Sequence, residues 1–104
     1  GRVAETAAAN IWWVRGGCCY TPPLAEGCVA GVMRRFLLHA LPEAGYPVKE
    51  TPVGLEALAD AEELFVSNAI RGVQAIKAFG DRRFDPKMAL TIQREIVTRA
   101  TAVR

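Results

Sequence analysis

Three short stretches of the chain carry side chains that together could bind a charged, flat ligand. Glu5 supplies a carboxylate, and the alanines at 7–9 are too small to crowd a ring lying against them. Gly27 to Gly31 is a loop directly before a helical pattern, where free backbone N–H groups and the helix dipole favour an anion. Ser67-Asn68-Ala69 follows an apolar run and could donate further hydrogen bonds to that anion. Taken singly, each stretch is more typical of a surface turn.

One ligand needs a carboxylate, an anion-binding loop and a small-residue surface at the same time. A phosphorylated aromatic ring with a basic nitrogen has these requirements, and pyridoxal 5′-phosphate (PLP) is such a molecule. Glu5 beside the ring nitrogen would keep it protonated, because a nearby opposite charge favours the charged form. The protonated ring is the electron sink on which PLP chemistry depends. The three stretches therefore predict a PLP site.

The residues after Asn10 predict a β-hairpin that would position this site. Residues 11–14 are bulky and β-prone, Gly16-Gly17 is a turn signal, and residues 18–21 predict the returning strand. The stretch from Glu5 to Asn10 is accordingly predicted to be a connector laid across a core.

A helix is predicted over 32–41, directly after the glycine loop. Apolar residues recur there at helical spacing, Pro42 is expected to bound its end, and Arg34, Arg35 and His39 fall off the apolar stripe. The stripe comprises Met33, Phe36, Leu37, Ala40 and Leu41.

The second half of the chain continues the mixture of strands and helices. It predicts strands over 46–50, 64–66 and 71–76, and a turn at Gly80-Asp81. Thr51-Pro52 is predicted to cap a helix carrying Leu55, Leu58 and Ala59. Asp85-Pro86 is predicted to cap a last helix with apolar positions Ala89, Ile92, Ile96, Ala100 and Val103. The fold class is therefore α/β, of the mixed α+β kind, with a mixed sheet, hairpins and about three helices.

Length, charge and cysteine content argue against several classes of function. The 104 residues suit one domain, and 13 Lys and Arg against 11 Asp and Glu form no basic face for nucleic acid. No apolar run is long enough to span a membrane, so the cytoplasm is the expected location. One histidine and 3 cysteines, without metal-ligand spacing, predict free thiols and no metal site.

The spacing of the first third of the chain resembles the class IV, fold-type IV aminotransferases and their relatives. That family's motif runs from a glutamate through small residues to an Asn and an apolar pair, then a Thr, then an apolar-x-Gly-apolar-x-Arg cluster. Trp12 and Cys19 depart from the usual residues without touching the cofactor positions. The matching positions are Glu5, Ala7, Asn10, Ile11, Thr21, Val29, Gly31, Val32 and Arg34.

The resemblance implies that residues 1–104 are the C-terminal cofactor-binding domain of a D-amino-acid aminotransferase-like PLP enzyme. Glu5 would face the pyridine nitrogen. The loop ending at Gly31, with the backbone N–H groups of Val32 and Met33, would hold the phosphate. Asn68 with Ala69 would complete the phosphate or substrate side. Structural roles are expected for Asn10, in holding the loop, and for Arg34, in pairing with a carboxylate.

The family's Schiff-base lysine is expected upstream of the glutamate, outside these residues. Lys49, Lys77 and Lys87 match no such position and are predicted to be solvated surface lysines. No catalytic residue is therefore predicted within the chain itself, and the intact protein is expected to be the enzyme. Its partners would be a small-molecule amino substrate and either a second identical subunit or the N-terminal part that carries the lysine.

Within the family, the residues are most similar to the 4-amino-4-deoxychorismate lyases. The features are the aromatic strand after Ala8-Ala9-Asn10, Met33 where aminotransferases usually have Thr, and Ser67-Asn68-Ala69. The resemblance implies elimination of pyruvate to give p-aminobenzoate for folate synthesis. A branched-chain or D-amino-acid aminotransferase, and a non-catalytic fragment or phosphate-binding partner domain, are the alternatives.

Overall fold

The computed structural model describes residues 9–23, 31–68 and 72–99. These residues form strands and helices in the mixed order that the sequence predicts, so the predicted mixed α/β class is confirmed. The strands are β1 (Ala9–Arg15), β2 (Cys18–Thr21), β3 (Val48–Glu50), β4 (Glu63–Asn68), β5 (Gly72–Ile76), β6 (Ala78–Phe79) and β7 (Arg82–Arg83). The helices are α1 (Val32–Glu43), α2 (Leu55–Ala59) and α3 (Lys87–Ile92), and α3 continues as a π-helical segment, Gln93–Val97.

The main sheet has five strands in the order β3-β2-β1-β4-β5, and β6 pairs with β7 in a separate hairpin. Strands β2 and β3 are parallel, while the other neighbours are antiparallel. The predicted hairpin of β1 and β2 is confirmed, and Gly16 and Gly17 in its turn have φ angles of 59° and 78°, which glycine adopts without strain. Ala9 and Asn10 belong to β1 rather than to a connector, because they continue its pairing with β4.

Strand β1 is buried on both faces. Trp12 and Val14 pack with residues of α1 and α3, whereas Ile11 and Trp13 pack with residues around α2 and with Phe84. The Trp12 ring stacks on Phe65 of β4 at 5.8 Å between centroids. This double burial explains why the strand is apolar at consecutive positions instead of alternating.

Helix α1 differs from its predicted apolar stripe at Arg34. This side chain lies on the buried face with Leu37 and Leu41 and is only 4% exposed. Its Nη2 donates to the Pro22 carbonyl at 3.0 Å and to Glu50 Oε1 at 2.8 Å. Arg34 can be buried because these two acceptors replace the water that its guanidinium loses. The expected pairing of Arg34 with a carboxylate is thus confirmed, and its placement off the buried face was wrong.

The ends of α1 and α2 also differ from the prediction. Pro42 lies inside the last turn of α1, and Gly45, with a φ of 95°, follows the helix and donates to the Pro42 carbonyl. Helix α2 begins after Gly54 rather than at Thr51-Pro52. Thr51 instead extends the pairing of β2 with β3, since its N–H donates to the Thr21 carbonyl at 2.9 Å.

A carboxylate from the sheet caps helix α3. Glu63 of β4 accepts hydrogen bonds from the backbone N–H of Met88 at 2.8 Å and of Ala89 at 3.3 Å. Asp85, the predicted cap, accepts from Lys87 N–H at 3.0 Å. Glu63 therefore joins the start of α3 to the centre of the domain, a contact between distant residues that local sequence signals do not reveal.

The π-helical segment changes which residues of the last helix are buried. Ala89 and Ile92 are buried as predicted, but Val97 is buried where Ile96 was expected, and Ile96 is only partly buried. A π turn contains one residue more than an α turn, so the buried face moves on by one position. The predicted positions Ala100 and Val103 lie outside the described residues.

The thiols that the structure describes are free. Cys18 is partly exposed and Cys19 is buried, and burial raises the pKa of the Cys19 thiol to about 12. Cys28 lies outside the described residues. Within the described ranges, no group of three or more potential ligands could hold a metal ion. In the same part of the chain, no helix has the length and apolarity needed to cross a membrane.

Replacing Glu50 tests the ion pair that fixes α1 to β3. We expect Glu50→Ala to lower the free energy of unfolding by about 1–3 kcal/mol, because Arg34 keeps a buried charge with only the Pro22 carbonyl as acceptor. Glu50 is 48% exposed, so water limits the loss. Denaturant unfolding measures it. The control is Glu43→Ala, which removes a 71% exposed carboxylate from α1, the helix that contains Arg34. Equal losses of unfolding free energy in both variants would contradict a stabilising role of the Arg34–Glu50 ion pair.

Glu63 predicts a specific pH dependence of stability. Burial raises the pKa of Glu63 above its ordinary 4.5, the Asp85 and Glu62 carboxylates add to the rise, and the N–H donors of α3 oppose it. The stability that protonated Glu63 contributes is therefore lost as pH rises through the folded-state pKa. Relative to wild type, we expect the unfolding free energy of Glu63→Gln to increase as pH rises from 4.5. Denaturant unfolding at a series of pH values measures this difference, and a constant or falling difference would refute it.

Candidate functional site

Several chain segments meet at one end of the sheet, which we call the Asn10 end. It is where β1 begins and where β2, β3 and β4 finish. Asn10 pairs with Ser67 across β1 and β4, and Thr21 Oγ1 donates to the Ile11 carbonyl at 2.8 Å. The strand directions thus place residues from distant parts of the sequence beside one another.

Helix α1 starts against this end of the sheet. Gly31 is the residue before its first turn, and a Cβ built on Gly31 would lie 3.0 Å from Asn10 Oδ1. A Cβ at this position would require Asn10 or the helix start to shift by a few tenths of an ångström. Asn10 is 3% exposed, so the contact is closed to solvent on the strand side. Gly31 is therefore needed here for close approach, because its φ of −75° is open to any residue.

Among the described residues, no side chain caps the backbone donors in the first turn of α1. Gly31 makes no side-chain cap, the turn contains no acidic residue, and the first intrahelical bond runs from Arg35 N–H to the Gly31 carbonyl. The N–H groups of Val32 and Met33 precede that bond and have no intrahelical acceptor. The Val32 side chain is 72% exposed.

The charges at this helix start fit a phosphate group. Arg34 places a buried guanidinium in the first turn, and Glu50, at the end of β3, is the one carboxylate bonded to it within the described part of the chain. The Arg34 Nε–H is buried and has no hydrogen-bond partner among the described residues. Together with the positive end of the helix dipole, this arrangement favours an anion over a cation. The phosphate of PLP is therefore compatible with the residues present.

Ser67 and Asn68 are divided between the two faces of the sheet. Ser67 is 1% exposed, and its Oγ accepts a hydrogen bond from Trp12 Nε1 at 2.9 Å. Ser67 thus has a structural partner. Asn68 is the last residue of β4, pairs with Gly72, and follows the face of Val66 by strand alternation. Its position at the Asn10 end agrees with the predicted location, and its contact with the cofactor stays a prediction.

Other predicted site residues cannot be placed. Glu5, Ala69 and the loop from Gly27 to Ala30 lie outside the described residues, and their roles stay predictions. Lys49, Lys77 and Lys87 are all exposed, as expected for surface lysines. The approach of Gly31 to Asn10 and the partnership of Arg34 with Glu50 were not predicted as pairs. The only local signals were a glycine before a helix and a glutamate ending a strand.

Comparison with known proteins identifies relatives of two activities. The profile of the family described as amino-transferase class IV matches residues 1–79. An aminodeoxychorismate lyase of Bacillus subtilis is 39% identical over 70 residues, which are 67% of this chain and 24% of the lyase. A mitochondrial branched-chain-amino-acid aminotransferase of Arabidopsis thaliana is 32% identical over 74 residues, 71% of this chain and 19% of that protein. The chain therefore spans about a quarter or less of these relatives.

A solved structure supports both the fold and the cofactor. An aminotransferase from Brucella abortus, bound to PLP, superimposes with a TM-score of 0.77 and 33% identity, covering 88% of this chain and 34% of that one. The fold predicted from the resemblance is confirmed, and so is PLP as the cofactor of the family. With a family profile matching 79 of the 104 residues, the chain belongs to the class IV aminotransferase family.

Proposed function

We propose that this chain is the C-terminal, cofactor-binding part of a PLP-dependent lyase that converts 4-amino-4-deoxychorismate to p-aminobenzoate and pyruvate. The observation that carries the choice of reaction is the 39% identity to the Bacillus subtilis lyase, against 32% to the Arabidopsis aminotransferase. Since the chain spans 24% of that lyase, the activity is proposed for the whole protein.

The start of α1 would bind the cofactor phosphate. The N–H groups of Val32 and Met33 would donate to it, and Gly31 would let it approach the backbone. Arg34 would add positive potential while its pair with Glu50 keeps the first turn in place. Met33 packs its side chain against the core, so only its main chain is available for this role.

Glu5 would hold the proton on the ring nitrogen, and Asn68 with Ala69 would border the phosphate or substrate. The bound cofactor would supply an electron sink for the carbanion formed at the substrate. Glu5 would strengthen that sink because its negative charge favours the protonated, positively charged ring. The lysine that joins the cofactor covalently is expected in the preceding part of the protein, as is a subunit interface of a cytoplasmic homodimer.

A branched-chain or D-amino-acid aminotransferase is the second candidate. The observation in its favour is the 33% identity of the Brucella aminotransferase over 88% of this chain. Both reactions would use the same phosphate and ring-nitrogen contacts. They differ in the substrate side, to which the described residues contribute little.

Product analysis separates the two reactions. We expect the full-length protein, incubated with 4-amino-4-deoxychorismate, to release p-aminobenzoate and pyruvate, and not to form keto acids from branched-chain or D-amino acids. Glu5→Gln should lower turnover by at least about tenfold, the effect of losing ~1.4 kcal/mol of transition-state stabilisation, with little loss of stability. Chromatography of the products measures both.

The opposite product pattern would replace the lyase proposal by the aminotransferase. A full-length protein with neither activity would favour the non-catalytic domain. Unchanged turnover in Glu5→Gln would reject the role of Glu5 at the ring nitrogen.

Gly31→Ala tests the helix start as the phosphate site. The added methyl group would press on Asn10 Oδ1, so we expect the start of α1 to move and PLP affinity to fall on the order of fivefold, about 1 kcal/mol. Titration of the full-length apoprotein with PLP measures the change. Gly54→Ala is the matched control, because Gly54 also precedes a helix but has open space around it. Equal affinities for the two variants would argue against a phosphate at α1.

A further inference from the structure

Gln93 holds the first residues of β5 in place. It is the first residue of the π-helical segment, and its Oε1 accepts a hydrogen bond from the backbone N–H of Val73 at 2.7 Å. Strand β5 lies at the border of the five-stranded sheet, where β4 is its only neighbour among the strands that the structure describes. Gln93 thus satisfies, with a side chain, a backbone donor that another strand would otherwise take.

The contact between Gln93 and β5 has little room to vary. Gly72 has a φ of 77°, and a Cβ there would lie 2.5 Å from Gln93 Oε1 and 3.1 Å from Val97 Cγ1. Side chains from both ends of the π-helical segment therefore occupy the space that a Cβ on Gly72 would need. Position 72 requires glycine both for its positive φ and for the lack of space. Gln93 can lie this close to Gly72 only because glycine has no side chain.

The start of β5 is also one side of the Asn10 end. Gly72 pairs with Asn68, the last residue of β4, and the chain between them contains only residues 69–71. One residue earlier, Ser67 pairs with Asn10, whose Oδ1 lies against Gly31 at the start of α1. A short series of contacts thus links Gln93 to the proposed phosphate site.

We propose that Gln93 is a positioning residue for the phosphate side of the cofactor site. By holding Val73 and Gly72, it keeps the Asn68–Gly72 pair at a constant distance from the start of α1. Gln93 acts through the strand and has no contact with the cofactor in this assignment. The inference rests on the proposed function, because it assumes that PLP binds at the Asn10 end.

The test compares PLP with pyridoxal, which lacks the phosphate, as ligands of the full-length apoprotein. Gln93→Met keeps the length of the side chain and removes the acceptor, whereas Gln93→Glu keeps an acceptor. We expect Gln93→Met to reduce the ratio of PLP affinity to pyridoxal affinity by about tenfold, and Gln93→Glu to retain most of it. Hydrogen exchange at the Val73 amide should accelerate in Gln93→Met only.

Ile92→Val provides the control for a loss of stability alone. Ile92 is fully buried in the same helix, and shortening it weakens the core without removing the bond to Val73. We expect Ile92→Val to lower the melting temperature about as much as Gln93→Met does, while its ratio of PLP affinity to pyridoxal affinity stays at the wild-type value. If Gln93→Met does not fold, Gln93→Asn, which withdraws the acceptor by one methylene, replaces it.

Two results would overturn the positioning role of Gln93. One is an affinity ratio in Gln93→Met equal to that of Ile92→Val, and the other is an equal loss in Gln93→Glu. Failure of the wild-type protein to bind PLP at all would instead overturn the proposed function and, with it, any role toward the cofactor. Normal wild-type binding with an unchanged ratio in Gln93→Met would overturn the inference about Gln93 alone.

Discussion

The burial of β1 on both of its faces is the constraint on which the rest of the domain depends. Trp12 and Trp13 are 0% and 3% exposed and lie in separate clusters on opposite sides of the sheet. Each large side chain buried in this way stabilises the fold by about 1.5–3 kcal/mol. A shift of one residue would exchange the two faces and put Asn10 where an apolar residue is needed. The register of the central strand is thereby fixed, and with it the position of every residue at the Asn10 end.

The site uses the ends of elements whose middles form the core. The core residues of β1, β4 and α1 hold Asn10, Ser67 and Gly31 close together, although they are far apart in sequence. The hydrogen bond from Trp12 Nε1 to Ser67 Oγ connects the core directly to this end of the sheet, because the buried indole N–H finds its acceptor near the end of β4. A rigid core next to a helix start is a suitable support for an anionic ligand, because backbone donors that are held in place need no rearrangement when it binds.

The N-terminal ends of α1 and α3, the two helices that pack on the same face of the sheet, have different charged partners. At α1, no acidic residue lies in the first turn, so the helix start keeps the positive end of its dipole, while the buried Arg34 is paired with Glu50 of β3. At α3, the Glu63 carboxylate from β4 accepts the free N–H groups, so that helix start is already satisfied by the protein. Among the described residues, a carboxylate thus caps the start of α3 and none caps the start of α1.

Local patterns accounted for most elements because they depend on neighbouring residues. The β1–β2 hairpin follows from two glycines between bulky runs, and α1 follows from an apolar stripe after Gly31. The motif led by Glu5 was sufficient to predict the family and its cofactor. The starts and the exact faces of helices were less predictable. Thr51 donates a hydrogen bond to Thr21 of β2 instead of capping a helix, and a π turn places Val97 rather than Ile96 on the buried face. Both outcomes depend on what packs against the segment.

The sequence by itself determined the mixed class of the fold, the family and the residue types available for a phosphate and a ring nitrogen. Only the tertiary structure decided how they are supported. Arg34 is buried because Pro22 and Glu50 supply acceptors, and Gln93 reaches Val73 because the last helix packs across the border of the sheet. These contacts join residues that no local pattern relates, because their energies come from desolvation and hydrogen bonding that exist only once the distant segments are packed together.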